Sequence, residues 1–372
     1  MSTATSTAHL DETGIKEFGA ALDRIRDEVL ASRGETDARY IRRLFAVRRG
    51  LEVGGRAALA VSLFPPAWFA GTALLACSKI LDNAEIGHSV LHGQWDWMRD
   101  PRIHSTTYRW DLLTSEEGWK HGHNDNHHVW TNVVGKDRDF GVTVLRLSDE
   151  QPWHPLNLPQ PLYYLMLNLL FDWSLAVYEL EYDAVREGRK STGAFLRDTG
   201  ALLAKAVRRA AKDYVLIPLL SGPSAVPCLL GNVGADLVRN FWVASVIFVG
   251  HFHEDVETYT PDEVRDETRG DWYLRQLLGS ANIEGSPLLH IATGNLSHQI
   301  EHHLFPEVPN NRLAQIAPQV RALCEKYGLP YNTGSLARQY TSAWMRVLRY
   351  SLPGRRPAVP SSAEPLDAER AA

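Results

Sequence analysis

The chain has 372 residues, with 39 Lys and Arg against 44 Asp and Glu and a net charge of −5. The basic residues are widely scattered, which gives no basis for a nucleic-acid partner. Three cysteines, Cys77, Cys228 and Cys324, lie far apart with no CxxC spacing. That argues against disulfides and cysteine-ligated metal, and fits a reducing compartment.

Residues 1–12 are small and polar, without a charged start and an apolar run, so no signal peptide is read. Ile15 to Phe45 is charged with scattered apolar residues and predicts one or two surface helices. Arg24, Arg26, Arg33, Arg39, Arg42, Arg43, Arg48 and Arg49 precede the first apolar stretch, which puts the N-terminus on the cytoplasmic side. That stretch runs from Leu51 to Ile86 and is divided by Phe64-Pro65-Pro66. A crossing needs about 20 apolar residues. The stretch is read as a hairpin of two short or tilted helices, the alternative being one crossing plus a buried segment. Residues 87–160 are polar and carry Trp95, Trp97, Trp110, Trp119, Trp130 and Trp153, expected as an interfacial aromatic belt rather than a pocket lining.

Three apolar runs follow: Pro161–Leu180, Tyr214–Leu230 and Leu237–His251. If the histidines before and after them meet at one site, an even number of crossings separates them. Pro161–Leu180 contains Asp172 and Glu179, and the loop after it is basic. Crossing there would place that charge outside, so this run is read as an interfacial or cytoplasmic helix. The later two runs then form a second hairpin, their boundaries blurred by Pro218, Pro223, Pro227, Asp236 and Arg239. Near the C-terminus, Asn310 or Asn311 caps a helix with an apolar stripe of Leu313, Ile316, Val320 and Leu323, ended by Gly328 and Pro330. The expected fold is all-α: two transmembrane helical hairpins, about four helices, with a cytoplasmic helical cap. The expected divisions are an N-terminal helical segment over 1–49, a main domain over 50–345 and a disordered tail over 346–372. A mean hydropathy of −0.24 is the main observation against a membrane protein.

The histidines organise the rest. They fall into clusters: His88 and His92; His123, His127 and His128; His251 and His253; His298, His302 and His303. On a helix, positions four apart share a face. A single histidine is ordinarily a surface or satisfied core residue. Four clusters at helical spacing instead point to a site for two metal ions, since imidazole is the commonest side-chain ligand and suits iron, zinc, copper or nickel. No HExxH occurs, which removes the zinc-protease reading.

These residues also carry a resemblance. His88-Ser-Val-Leu-His92, the segment from His123 through Asp139, and His298-Gln-Ile-Glu-His302-His303-Leu-Phe-Pro resemble the three histidine boxes of the membrane fatty acid desaturases. The segment after the third box resembles the acyl-lipid and front-end branches. Ser89 stands where many members have Asp, and no HPGG haem motif of a fused cytochrome b5 domain is present. The resemblance implies an oxygen-dependent enzyme with two iron ions that puts a double bond into a fatty acyl chain. It also implies a ligand role for His251, with His253 as a support or a merely polar residue. Asp137, Asp139 and Glu301 are further candidates, either as ligands or as carboxylates that orient the ligands. In the third box the family pattern puts Gln299 first. Simple chemistry favours its neighbour His298, because imidazole binds iron better than an amide oxygen and sits four residues before His302. The ligand set read here is therefore His88, His92, His123, His127, His128, His251, His298, His302 and His303.

An unactivated methylene has no acidity for a base to exploit, so its oxidation requires dioxygen and electrons. The chain shows no GxGxxG fingerprint and no iron–sulfur cysteines. The electrons are expected from a separate ferredoxin, cytochrome or flavoprotein reductase. The substrate is expected to be a fatty acyl lipid or an acyl thioester such as acyl-CoA. The protein is expected in a membrane, with its active site and both termini cytoplasmic. Two alternatives stay open here: a lipid hydroxylase or carotenoid oxygenase on the same scaffold, and a non-enzymatic membrane metal-binding protein.

Overall fold

Asp11 accepts a hydrogen bond from the Gly14 amide and so starts α1, Glu12–Ala31, in a computed structural model that describes residues 6–354. The apolar stripe of α1, Phe18, Leu22, Ile25 and Val29, packs into one core with Ile300, Leu304 and Phe305 of the third histidine box. The N-terminal segment is thus part of the body that holds the site. Helix α2, Glu35–Ala60, runs unbroken across the expected boundary at residue 50.

Pro65 and Pro66 occupy the first turn of α3, Pro65–Ile80, where their missing N–H groups cost nothing. The α2–α3 hairpin is close because glycines face backbone. A Cβ on Gly55 would lie 2.9 Å from the Leu75 nitrogen, and one on Gly71 would lie 2.9 Å from the Leu59 nitrogen. Beyond α3 the chain stays helical through a π-helical stretch, Leu81–Gly87, into His88–Leu91. The first box is therefore a direct continuation of the hairpin's second leg.

Two short helices, α4 (Gln160–Leu169) and α5 (Phe171–Tyr178), precede α6, Thr192–Ala210. After α6 the chain remains helical through Ala211–Leu216 and Ile217–Leu220, turns at Gly222–Ser224, and returns as α7, Ala225–His251. This corrects the expected second hairpin. Its turn lies at Gly222–Ser224, and the supposed link between 230 and 237 is helix interior. The reason is that Asp236 and Arg239 do not seek water. Asp236 pairs with Lys79 at 3.1 Å and Arg209 at 2.9 Å, and Arg239 pairs with Asp172 at 3.0 Å. Hydropathy counts these charges as solvated, whereas the fold buries and pairs them. Among the described residues one helical stretch, Gly222–His251, is long and apolar enough to cross a bilayer. The α2–α3 hairpin does not meet that standard.

The remaining elements close the site. Helix α8, Arg269–Leu278, leads into a three-residue strand β1, Asn282–Glu284; α9 is Gln299–Leu304 and α10 is Leu313–Lys326. Strand β2, Thr333–Ser335, pairs in parallel with β1 (Asn282 with Thr333, Glu284 with Ser335) and starts α11, Leu336–Ser351. Leu313, Ile316 and Val320 are buried as expected, and Gly328 leaves the helix at φ +63. Asn310 and Asn311 do not cap α10. Their amides donate instead to the Glu85 carbonyl and to Asp37. The expected tail boundary at 346 falls inside α11, where Arg346 is buried and donates to the carbonyls of Leu147, His253 and Val256. The rest of that tail, from 355, lies outside the described residues. Three tryptophans expected in an interfacial belt are core residues: Trp95, Trp110 and Trp119 share a buried cluster with Ile86 and Val90.

Candidate metal centre

Four helical segments converge on one buried cluster: the ends of α3 and α7, the π-helical turn Lys120–His127, and α9. Each carries imidazoles at its end or along one face. They form two adjoining groups whose ligand-capable atoms lie within 4.8 Å of one another: His88, His92, His123 and His302, and then His127, His251 and His303. His123 and His127 also meet Asp139 in a third grouping. His128 lies between the main groups, its ring 4.7 Å from that of His92 and stacked at 4.3 Å on that of His303.

Hydrogen bonds on the outer side orient the rings. Nδ1 of His127 donates to both oxygens of Asp137 at 3.0 Å, and Nδ1 of His123 to Asp139 at 3.0 Å. His303 donates from Nδ1 to Gln276 Oε1 at 2.9 Å, and His251 from Nδ1 to the Gly279 carbonyl at 3.3 Å. With Nδ1 used outward, the Nε2 atoms turn toward one another; those of His88 and His123 are 3.2 Å apart. Trp119 stacks on His123 at 4.5 Å and closes that side.

Burial sets the electrostatics. It holds His88, His92, His128, His302 and His303 well below the ordinary imidazole range, and neighbouring imidazoles push the same way. These rings are neutral near pH 7 and carry free lone pairs. Burial also disfavours charge on His127, but the Asp137 carboxylate outweighs it and raises that pKa.

The residues fit a metal. The Nε2 atoms of His92, His302 and His303 and both ring nitrogens of His128 are buried with no hydrogen-bond partner. Unpartnered polar atoms in a close-packed interior are costly. Several neutral imidazoles converging with free nitrogens form the donor set of a transition-metal site with two neighbouring positions.

The third box departs from the sequence expectation. His298 lies outside both groups: its ring packs on His290 at 4.5 Å. Gln299 instead faces the cluster, its amide nitrogen 2.9 Å from Nε2 of His251 and its amide oxygen buried without a partner. Four-residue spacing puts His298 and His302 on one face only within a continuous helix. In fact Leu296–His298 is a 3₁₀ turn and α9 starts at Gln299, with His298 at φ −101 and ψ 54. A one-residue shift in where the helix begins turns His298 off the shared face. Glu301 is buried next to His302 but turns away from the groups. It accepts from Asn282 at 2.9 Å and Tyr331 at 2.8 Å, and burial raises its pKa to about 7. His253 is also outside, its Nδ1 accepting from the Asp255 amide. Sequence reasoning missed Gln276, which bonds to His303 and to the His128 carbonyl. No histidine-like spacing marks it.

The fold and cluster define a helical protein with buried, adjoining histidine groups that could hold metal. The family model for fatty acid desaturases matches residues 63–335. The chain is 45% identical to the NADPH-dependent stearoyl-CoA 9-desaturase of Mycobacterium tuberculosis, over 93% of this chain and 82% of that one. It is 26% identical to the sn-1 linoleoyl-lipid 6-desaturase of a Synechocystis strain, over 74% of this chain and 79% of that protein. It is 31% identical to the acyl-lipid (7-3)-desaturase of Rebecca salina, over 64% and 54% respectively. The chain belongs to the fatty acid desaturase family. It is an oxidoreductase that forms carbon–carbon double bonds in fatty acyl chains with dioxygen. That decides against the two alternatives left open by the sequence.

Proposed function

We propose that the chain desaturates a long saturated acyl chain carried as a CoA thioester, with two iron ions in the histidine cluster and electrons from NADPH through a separate reductase. The observation that carries the metal part is the pair of adjoining imidazole groups with unpartnered inward nitrogens. The relative named for stearoyl-CoA supports the substrate part, being similar over nearly the whole chain, whereas the acyl-lipid relatives match less of it at lower identity.

In this reading the first group, with His88, His92, His123 and His302, holds one ion, and His127, His251 and His303 hold the other. His128 joins from between them, and Gln299 stands beside His251. When bound, the two ions supply the electrons that reduce dioxygen to an oxidant able to take hydrogen from an unactivated methylene. The balance is –CH2–CH2– plus O2, two electrons and two protons, giving –CH=CH– plus two waters. The chain's own task is positioning. Asp137, Asp139, Gln276 and the Gly279 carbonyl hold the rings, and buried Trp119 and the surrounding apolar side chains exclude water.

A cavity of about 1220 Å³ begins on the turn before His123, lined by Gly118, Gly122, Trp110, Leu113 and Leu202. Arg109 and Arg208 also line it, and neither pairs with a carboxylate among the described residues. These cations suit the phosphates of a CoA carrier. The anchor is the pair of helical hairpins, and the metal centre and both chain ends lie on the cytoplasmic face, where the basic flanks favour them.

The test uses purified, iron-loaded protein with NADPH, a reductase and oxygen, offered stearoyl-CoA or stearoyl glycerolipid. The expected product is a monounsaturated acyl-CoA, with the double bond mapped by mass spectrometry. Conversion of the glycerolipid alone would replace the carrier in this reading. Active protein holding only zinc would remove the iron.

A further inference from the structure

The turn that leads into His123 is also a wall of the large cavity: Gly118, His121 and Gly122 line it. Tyr178, the last residue of α5, lines the same cavity, and its ring lies 3.8 Å from where a Cβ on Gly122 would stand. The Tyr178 hydroxyl donates to one oxygen of Asp139 at 2.7 Å, and the other oxygen accepts from Nδ1 of His123 at 3.0 Å. Burial and the Asp139 carboxylate both raise the phenol's pKa, so the hydroxyl keeps its proton and stays the donor. Arg138 fixes the tyrosine. Its guanidinium lies 5.0 Å from the ring centre, donates to the Tyr178 carbonyl at 3.3 Å and pairs with Asp183 at 2.6 Å.

The other groups that hold a ring from outside are sealed in the interior. Asp137 accepts from the Asn132 and Phe140 amides, and Gln276 from the Thr131 hydroxyl. Neither of them lines the cavity, and nor does Gly279. The Asp139 side chain is 26% exposed, whereas that of Asp137 is fully buried. Among the described residues, the Asp139 link is therefore the one Nδ1 hydrogen bond that the contents of the cavity can reach. The opposite face of the same ring points to the same place. Trp119 stacks on His123, and Trp110 packs on Trp119 at 5.4 Å and lines the cavity.

A hydrogen bond to a carboxylate strengthens as water leaves its surroundings. A ring held more strongly at Nδ1 is a more basic donor at Nε2. An acyl carrier that fills the cavity displaces water from Tyr178 and from the Asp139 oxygen beside it. We infer that Tyr178 is a positioning residue that couples occupancy of the cavity to the orientation and donor strength of His123, so that the metal centre senses a seated substrate. This rests on the reading that the cavity takes the acyl carrier. Tyr178 acts through Asp139 and does no chemistry on the acyl chain. The coupling ties the reduction of oxygen to the presence of a methylene to oxidise.

The experiment uses the full-length, iron-loaded protein in its ferrous form without oxygen, so that no turnover occurs. Radiolabelled stearoyl-CoA reports binding, and magnetic circular dichroism reports the metal centre. Wild type is expected to bind and to change its spectrum on binding. Tyr178→Phe, which loses only the hydroxyl, is expected to bind within about twofold of wild type and to show a spectral change at least threefold smaller. Leu202→Trp, which fills the cavity, is expected to weaken binding at least tenfold. A wild-type spectrum that stays the same on binding, or a full change in Tyr178→Phe, would overturn the inference and leave the cavity reading intact. Failure of wild type to bind, or undiminished binding in Leu202→Trp, would overturn the cavity reading and the inference together. Should Tyr178→Phe fail to hold iron, Arg138→Gln takes its place, since it removes the guanidinium that fixes the tyrosine and keeps the hydroxyl. A full spectral change in that variant would overturn the inference.

Discussion

Nδ1 of His127 lies 3.0 Å from both carboxylate oxygens of Asp137, and that carboxylate also accepts the backbone amides of Asn132, Asp139 and Phe140. One buried acid thus fixes the tautomer of a ring in the histidine cluster and folds the loop behind it. Asp137→Ala is expected to lower metal affinity or turnover by roughly 10–100-fold. Asp137→Asn keeps the volume but replaces one accepting oxygen with an NH2 that faces N–H donors, and should fall in the same range. Metal per chain and turnover at saturating substrate check this. A loss smaller than twofold in both would show that the ring is held by packing alone.

The third box gives the sharpest pair of variants. His298 packs on His290, and Gln299 faces His251. His298→Ala is expected to keep its metal and most of its activity, whereas Gln299→Ala should lose activity at least tenfold, with an altered metal-centre spectrum. Electronic absorption and metal analysis of the two variants side by side would decide. Metal loss in His298→Ala alone would reverse the assignment.

The histidine clusters were legible because helical spacing is local: His88 with His92 and His123 with His127 need no knowledge of the rest of the chain. The choice between His298 and Gln299 was not, because it depends on where a helix starts within a single residue. The hairpin tip at Phe64-Pro65 was readable from proline. The second tip, at Gly222–Ser224, was displaced by polar residues in α7 whose partners come from α3, α5 and α6. Pairing across distant elements is what hydropathy along a chain cannot carry. The same limit hid Gln276, and it made core tryptophans look interfacial.

Lys79 is nearly fully buried and contacts Asp111, Asp213 and Asp236. Burial works against its charge, yet the surrounding carboxylates keep it an ammonium ion. Removing one partner from such a cluster leaves uncompensated charge, so Lys79→Met is expected to destabilise the protein by roughly 3–5 kcal/mol. A neutral Asp236→Asn added to Lys79→Met should recover part of that loss. Thermal unfolding in detergent measures both, and strict additivity of the two changes would show that they do not interact.

Acid stability turns on Asp37 near the start of α2. Its side chain is fully buried and accepts from Arg312 Nε at 2.6 Å, Arg312 Nη2 at 2.8 Å, Asn311 at 2.8 Å and the Gly34 amide at 3.0 Å. Burial alone would raise its pKa, but the Arg312, Asn311 and Gly34 hydrogen bonds outweigh it, and the net shift is downward. The folded value therefore lies below the unfolded one. The carboxylate contributes its full stability above the ordinary Asp range near 4 and loses it as pH falls through the lowered folded value. This clamp ties the N-terminal helices to the loop between the third box and α10, so its loss should loosen the metal centre as well. Wild-type melting temperature is expected to hold from about pH 7 to 5 and then drop. Asp37→Asn should start lower and show a shallower drop below pH 5. Equal slopes for the two proteins in that acid range would mean that other carboxylates carry the transition.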